Sequence, residues 1–173
     1  ARLLDSPADD FSPLSGRDLV AQKVRLLSVM AGAFTLINAR QHLEYNVVKD
    51  IPAAKKLAAD WPTEMLYSGY EVGLAMRYPA RSILEDYQWQ PHHIAAASYI
   101  AYQPPPHDRP TWDLTSVLAV VRPSRGYFGM SEPGRVIVDD DGGTRFEPAA
   151  DGLHRYLTVD ATQIARGVEA FVN

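Results

Sequence analysis

The sequence predicts an α/β fold in which helices flank part of an open, mostly parallel, Rossmann-like sheet, with a small antiparallel sheet towards the carboxyl end. The first observation is the apolar run at residues 25–30, followed by turn residues, which is typical of a buried parallel strand. The second is the alternation of strand and helix patterns after it. The third is a series of short alternating segments, separated by glycine and proline, within residues 126–173.

Local signals place the elements that follow the first strand. Asp50 can cap a helix with Pro52 in its first turn, and Trp61 followed by proline ends that helix. Residues 64–67 form the next predicted strand, and a Ser-Gly turn leads into a further helical stretch. Residues 5–16 are rich in turn formers and are predicted to form a loop.

The remaining elements divide the chain into residues 1–125, the α/β part, and residues 126–173, a β-hairpin extension with a closing helix. The predicted helices lie at residues 93–102, 112–121 (capped by Thr111) and 160–172 (starting near Asp160 or Thr162). The predicted short strands lie at residues 127–128, 135–138, 144–146 and 155–159.

Composition excludes several classes of function. The chain has 17 Lys and Arg against 21 Asp and Glu, so its net charge of -4 argues against a general nucleic-acid or anionic-membrane binder. No apolar run approaches the roughly 18–20 residues that span a bilayer. Without cysteine there are no disulfides, thiolate nucleophiles or cysteine zinc sites. Localisation stays open between the cytoplasm and a periplasmic or secreted location.

Two polar clusters are candidate sites. Ligands of α/β proteins bind at the carboxyl ends of parallel strands, and amide and carboxylate groups there suit sugar hydroxyls. The same residues could equally be turn, cap and solvated residues. Trp112 could stack on a ring or belong to the core, and Asp113 could bind a hard metal or complement a helix dipole. The first cluster follows the strand at 25–30 and contains Asn38, Glu44, Tyr45, Asn46 and Asp50; the second contains His107, Asp108, Arg109, Trp112 and Asp113.

Two other motifs carry weaker signals. His92 and His93 lack a metal-binding partner at helical spacing, which favours a cap residue and a surface residue. The DDDGG segment at residues 139–143 resembles a calcium loop but lacks its alternating aspartates and distal glutamate. Its position between two predicted strands favours a hairpin turn.

Taken together, these segments resemble the calcium-dependent, inosine/uridine-preferring nucleoside hydrolases, across essentially the whole chain. The last two matching segments fit a bacterial branch that has this carboxyl-terminal extension. The matching segments are MAGAF at 30–34, Asn38, EYN at 44–46, DIPAA at 50–54, SGYEVG at 68–73, DRPTWDLT at 108–115, RPSRGY at 122–127 and HRYL at 154–157.

The resemblance implies hydrolysis of the N-glycosidic bond of (deoxy)ribonucleosides to free base and sugar, in purine or pyrimidine salvage. Asn38, Glu44 and Asn46 would hold ribose hydroxyls, Trp112 could stack on the base, and Asp113 would bind both ribose and Ca²⁺. In the family the ion binds the sugar diol and a water, whose proton a carboxylate takes as the water attacks the sugar. The family also implies homo-oligomers.

Two departures from the family pattern shape the expectation. Trp112 stands where many members have a histidine that assists the leaving base. The aspartate-rich motif of the family's amino-terminal half, which supplies the catalytic base and most calcium ligands, has no counterpart here. The chain is therefore expected to be the carboxyl-terminal half of a longer hydrolase, inactive without its other half. The alternatives are a non-catalytic homologue that binds nucleoside or ribose, and a structural domain.

Overall fold

The computed structural model describes residues 1–173. Through residue 121, single strands alternate with one or two helices, and four consecutive strands and a final helix follow. Short 3-10 turns lie at Arg2–Asp5 and Pro123–Arg125. The helices are α1 (Gly16–Lys23), α2 (Tyr45–Lys49), α3 (Ile51–Asp60), α4 (Tyr70–Ala75), α5 (Ala80–Glu85), α6 (Ile94–Tyr102), α7 (Trp112–Val121) and α8 (Ala161–Val172). The strands are β1 (Leu26–Met30), β2 (Glu64–Ser68), β3 (Arg77–Tyr78), β4 (Arg109–Pro110), β5 (Gly129–Met130), β6 (Gly134–Val138), β7 (Thr144–Pro148) and β8 (His154–Thr158).

Six strands form one mixed sheet in the order β1-β2-β8-β6-β7, with β5 paired to β8. The strands β1, β2 and β8 run parallel, whereas β5, β6 and β7 join antiparallel to their neighbours. A separate two-stranded antiparallel sheet consists of β3 and β4. The predicted α/β fold class is confirmed. Because β8 lies between β2 and β6, the carboxyl-terminal strands continue the main sheet, and the division at residue 125 stays a prediction.

Local capping explains why several helices begin where the sequence predicts. The Asp50 carboxylate accepts a hydrogen bond from Ala53 N at 3.0 Å, with a proline in the first turn of α3. Asp160 and Gln163 form a reciprocal capping box at the start of α8. Thr111 occupies the N-cap position of α7, but its hydroxyl donates to the Met76 carbonyl at 2.7 Å and does not cap the helix.

Other elements differ from the sequence prediction. The sequence does not predict helices α1, α2 and α5, which are only 8, 5 and 6 residues long and too short to show a helical period. The start of α1 closes the predicted 5–16 loop, with Ser15 accepting from Asp18 N. The predicted strand at 127–128 is wrong, since β5 begins at Gly129 opposite Thr158.

The two faces of the sheet carry separate apolar clusters. One cluster lies between a face of the sheet and the helices α4 and α7, and it contains Leu66, Val72, Ala119 and Leu157. The other contains Met65, Tyr67 and Val136, and α3 packs against β6 on this side. Neighbouring residues of β2 therefore point to opposite faces, as strand geometry requires. No helix in the structure combines the length and apolar composition needed to cross a bilayer.

Candidate functional site

The segment that follows β1 is held by three side chains from distant parts of the chain. Residues 31–34, called the 31–34 loop, offer three consecutive backbone N–H donors, and each reaches a different side-chain acceptor. The acceptors belong to the start of α2, to β7 and to α4. Gly32 N donates to Glu44 Oε2 at 3.2 Å, Ala33 N to Thr144 Oγ1 at 2.9 Å, and Phe34 N to Glu71 Oε1 at 3.1 Å.

Glu44 joins the 31–34 loop to the start of α2. Its side chain is only 3% exposed, and as N-cap it accepts from Asn46 N at 2.8 Å and Val47 N at 3.1 Å. A carboxylate offers about four acceptor positions, and the protein uses three. One acceptor position is not used within the protein, and the ribose contact of Glu44 stays a prediction.

Asn46 lies at the carboxyl end of β1. Its Nδ2 donates to the Met30 carbonyl at 3.1 Å and approaches Met30 Sδ at the same distance. Met30 is the last residue of β1. The amide oxygen of Asn46 lies on an exposed residue and can accept a hydrogen bond from a ligand.

Asn38 lies in an exposed turn closed by the bridge between Ile37 and Arg40. Its φ of 51° is left-handed, a conformation that asparagine tolerates better than most residues. The hydrogen bonds that fix Glu44 and Asn46 beside β1 do not include Asn38. This geometry fits the turn interpretation, and the sugar contact of Asn38 stays a prediction.

Three stacked aromatic rings connect the segment before α2 to the start of α7. His42 stacks on Tyr70 with ring centres 3.7 Å apart, and Tyr70 stacks on Trp112 at 5.5 Å. Trp112 Nε1 donates to the Tyr70 carbonyl at 3.1 Å. A Cβ on Gly73 would lie 2.4 Å from Trp112 Cδ1, so only glycine permits this approach of α4 to α7. Trp112 is thereby held in a fixed orientation.

Asp113 follows in the first turn of α7 with its side chain exposed. Together with Trp112 it lines an open cavity of about 430 Å³. The remaining wall of this cavity is mostly apolar and includes Tyr78, Ile83, Tyr87, Tyr99 and Arg109. A cavity of this kind accepts a planar ring, with a carboxylate at its edge.

Two phenols of this cavity, those of Tyr87 and Tyr99, have raised pKa values and stay neutral near pH 7. The hydrogen bond between the hydroxyls of Tyr87 and Tyr78, together with burial, raises the pKa of Tyr87 to about 12. Burial raises the pKa of Tyr99, whose hydroxyl donates to the His107 carbonyl. The His107 ring stacks on Tyr99, and both its nitrogens are buried without a hydrogen-bond partner.

The structure does not bring other acidic side chains or histidines together around Asp113 as a metal site. No group of three or more His, Cys, Asp or Glu side chains is placed to hold a metal ion. Calcium takes six to eight oxygen ligands, and Asp113 can supply one carboxylate. The DDDGG segment is a hairpin turn, as the sequence favours, in which Asp140 pairs with Lys55 and Asp139 with Arg145. His93 accepts from Ala95 N as the cap of α6, and His92 is exposed.

Sequence reasoning assigned no role to Glu71 or Thr144. Glu71 Oε2 is buried without a hydrogen-bond partner. Burial raises the pKa of this carboxyl, although the N–H groups of Glu71 itself and of Phe34 oppose the rise. The position of Glu71 after a predicted strand was a usable signal, whereas nothing local singles out Thr144.

Comparison with known proteins identifies the fold. No protein-family model matches the sequence, and no curated protein matches it. Among solved structures, the chain is similar to a plant nucleoside hydrolase, the PpNRh1 enzyme, with a TM-score of 0.60 and 18% sequence identity. The similarity covers 96% of this chain and 59% of that structure, so the chain spans about three fifths of its length. The chain therefore has a nucleoside hydrolase-like α/β fold.

Proposed function

We propose that this chain belongs to a hydrolase that cleaves the N-glycosidic bond of (deoxy)ribonucleosides, of the inosine/uridine-preferring type. The proposal rests on one observation: the segment that contains Asn46 and the segment that contains Trp112 both lie at the carboxyl ends of parallel strands. Asn46 bonds to the last residue of β1, and Trp112 bonds to Tyr70, two residues after the end of β2. Ligands of open α/β sheets bind at this edge.

The proposed roles follow from the groups that remain free. The amide oxygen of Asn46 and one acceptor position of Glu44 would bind sugar hydroxyls, with Asn38 at the outer side of the sugar. Trp112 and the apolar cavity beside it would take the base. These contacts would favour hydrolysis if they strengthen as positive charge develops on the sugar.

Calcium would supply a polarised water and a holder for the sugar diol. Of the residues described here, Asp113 would contribute one carboxylate to that ion. The catalytic base and the remaining ligands would come from outside these 173 residues, in an amino-terminal half of the same protein. The unmatched two fifths of the plant structure are consistent with such a segment.

The free edge of the sheet supports this placement of the missing half. β1 is an edge strand, with β2 as its only partner, and all five of its residues are only partly buried. Parallel sheets are ordinarily buried on both faces and flanked on both sides. The helix α7, which packs on β1, carries an exposed apolar stripe consisting of Leu114, Val117, Val120 and Val121. The missing half would pair with β1 and cover this stripe.

A second candidate function is non-catalytic binding of nucleoside or ribose. If these 173 residues are the whole protein, the lack of a carboxylate cluster and the presence of Trp112 in place of an acid both favour it. Nucleoside would then raise the melting temperature without being cleaved.

Binding and hydrolysis measured side by side test both functions. Two proteins are compared: the 173 residues alone, and the protein translated from the full open reading frame that contains them, called the longer product. Each is mixed with inosine, uridine, deoxyinosine or ribose, in the presence of Ca²⁺ or of EGTA. Calorimetry measures the affinity, and chromatography measures release of free base. Calcium-dependent release by the longer product supports hydrolysis, whereas saturable binding without release in both proteins supports the binding function. No binding and no release by either protein would contradict both.

A further inference from the structure

We propose that Thr144 is a positioning residue through which the β6–β7 hairpin sets the shape of the candidate sugar site. The proposal rests on the proposed function, since the ligand in question is the nucleoside. It concerns a part of the chain far from the sugar contacts in sequence: Thr144 lies 111 positions after Ala33.

The Thr144 hydroxyl makes two hydrogen bonds to one backbone residue. Oγ1 accepts from Ala33 N at 2.9 Å and donates to Ala33 O at 3.0 Å. Thr144 is only 5% exposed, so water cannot replace these bonds without a rearrangement. A hydroxyl has one proton to donate, and here that proton is used together with one acceptor position. The peptide groups on both sides of the Ala33 Cα are thereby fixed.

Gly32 transmits this constraint to Glu44 and Tyr70. Its φ is +78°, and a Cβ there would lie 3.1 Å from Thr144 Oγ1. Gly32 N binds Glu44, and Gly32 O accepts from Tyr70 N at 2.8 Å. A shift at Ala33 would therefore move both the N-cap of α2 and the ring on which Trp112 stacks.

The hairpin is itself anchored on the segment that it positions. Gln41 Nε2 donates to the Thr144 carbonyl at 3.0 Å. At the tip of the hairpin, Gly142 is close to Val48 and Ile51, and Asp140 pairs with Lys55. The hairpin thus contacts residues that lie both before and after Asn46 in the chain. These contacts fix the hairpin next to the 31–34 loop.

Two substitutions separate the hydroxyl from the volume of the side chain. Thr144→Val keeps the shape but leaves the N–H and C=O of Ala33 buried without partners. Thr144→Ser keeps the hydroxyl and serves as the matched control. Because two backbone groups would be buried without partners, we expect the Val variant to open the 31–34 loop more often and to bind nucleoside more weakly, each by about 10-fold or more.

Hydrogen exchange provides a readout that needs no catalytic activity. In the free protein, Thr144→Val should speed exchange of the amides of residues 32–34 and of Asn46 and Val47 by about 10-fold or more. Exchange at amides of α8, which can open without release of the 31–34 loop, should change less than about 2-fold in a folded variant. The Ser variant should resemble wild type throughout. If the Val variant does not fold, Gln41→Ala, at an exposed position, receives the same measurements.

Nucleoside affinity completes the test. A raised Kd for inosine or uridine that accompanies faster exchange at residues 32–34 supports a positioning role. Unchanged exchange in Thr144→Val, or faster exchange with unchanged Kd, overturns it. Absence of nucleoside binding by wild type contradicts the proposed function instead, and the exchange data alone then decide whether Thr144 fixes the loop.

Discussion

Glu44 Oε2 accepts a hydrogen bond from the backbone nitrogen of Gly32 at 3.2 Å, which ties the start of α2 to the end of β1. The same carboxylate caps α2, so one buried side chain serves a loop and a helix together. Glu44 therefore stabilises the structure of the candidate site in addition to any contact that it makes with a ligand. It has a measurable consequence for stability.

Replacement of Glu44 by alanine should destabilise the protein strongly. Three backbone N–H groups would lose their acceptor, two of them on buried residues. Together with loss of the cap, this should lower the free energy of unfolding by about 2–4 kcal/mol. Urea denaturation followed by circular dichroism measures the change.

The control for Glu44 is Glu132→Ala, which removes an exposed carboxylate. This variant should stay within about 0.5 kcal/mol of wild type. Equal stabilities of the two alanine variants would mean that Glu44 does not hold the loop and α2 together.

The sequence predicted elements whose signals are local and missed relationships that span the chain. The capped helices α3 and α8 and the strands β1 and β2 follow from neighbouring residues, and the structure confirms them. The position of β8 beside β2 does not follow, because about 90 residues separate their partners, from Met65 to His154.

In the candidate site, too, the sequence predicts local features and misses contacts between distant parts of the chain. The polar segment with Glu44 and Asn46 lies beside the carboxyl end of β1, as its position after that strand predicts, and its contact with a ligand stays a prediction. The acceptors that hold the 31–34 loop lie 12, 37 and 111 positions from their donors. Only the first lies within the predicted cluster, and no periodicity or spacing could have identified Thr144.

Asp113→Asn should separate metal binding from stability. The carboxylate is exposed in the first turn of α7, where its interaction with the helix dipole stabilises the folded protein by about 0.3–1 kcal/mol. Unfolding in urea should therefore change by less than about 1 kcal/mol. In the longer product of the coding sequence, the same substitution should abolish calcium-dependent release of base.

Asp108→Asn is the comparison variant, since Asp108 also lies close to α7 but accepts from Ala80 N at 2.9 Å. Asparagine keeps an oxygen acceptor there, so activity should be retained. Activity of Asp113→Asn close to wild type would remove Asp113 from the metal and ribose site.

His154 should make the protein less stable in mild acid. Its Nδ1 accepts from Val136 N at 2.9 Å, a bond that only the neutral ring can make. Burial, with a smaller effect from Arg135, lowers the pKa of His154 below its ordinary 6.5. The unfolded state therefore binds more protons in this range, and stability is lost as pH falls below 6.5 through the folded pKa. Urea midpoints measured between pH 7.5 and 4.5 test this.

The His154→Asn variant should have a flatter dependence on pH over that interval, although its overall stability is lower because volume is lost in the core. His92→Asn, at an exposed position with φ of 62°, should keep the slope of wild type. If His154→Asn and His92→Asn had the same slope, another group would be responsible for the acid sensitivity.

Glu71 should act in the opposite direction. Burial raises the pKa of this carboxyl above its ordinary 4.5, so the folded state binds more protons than the unfolded state above that pH. Its contribution to stability is then full below pH 4.5 and is lost as pH rises through the folded pKa. Glu71→Gln keeps an acceptor for Phe34 N and carries no charge. The variant should gain stability relative to wild type as pH rises from 4 to 8.

Glu71→Ala distinguishes the charge from the hydrogen bond. It removes the acceptor for Phe34 N, so it should be less stable than Glu71→Gln by about 1–3 kcal/mol at every pH. Urea denaturation of the three proteins at pH 4, 6 and 8 gives both differences. Parallel pH profiles for wild type and Glu71→Gln would show that the Glu71 carboxyl has an ordinary pKa. In that case the unpaired Oε2 would have a partner in solution, such as a bound water.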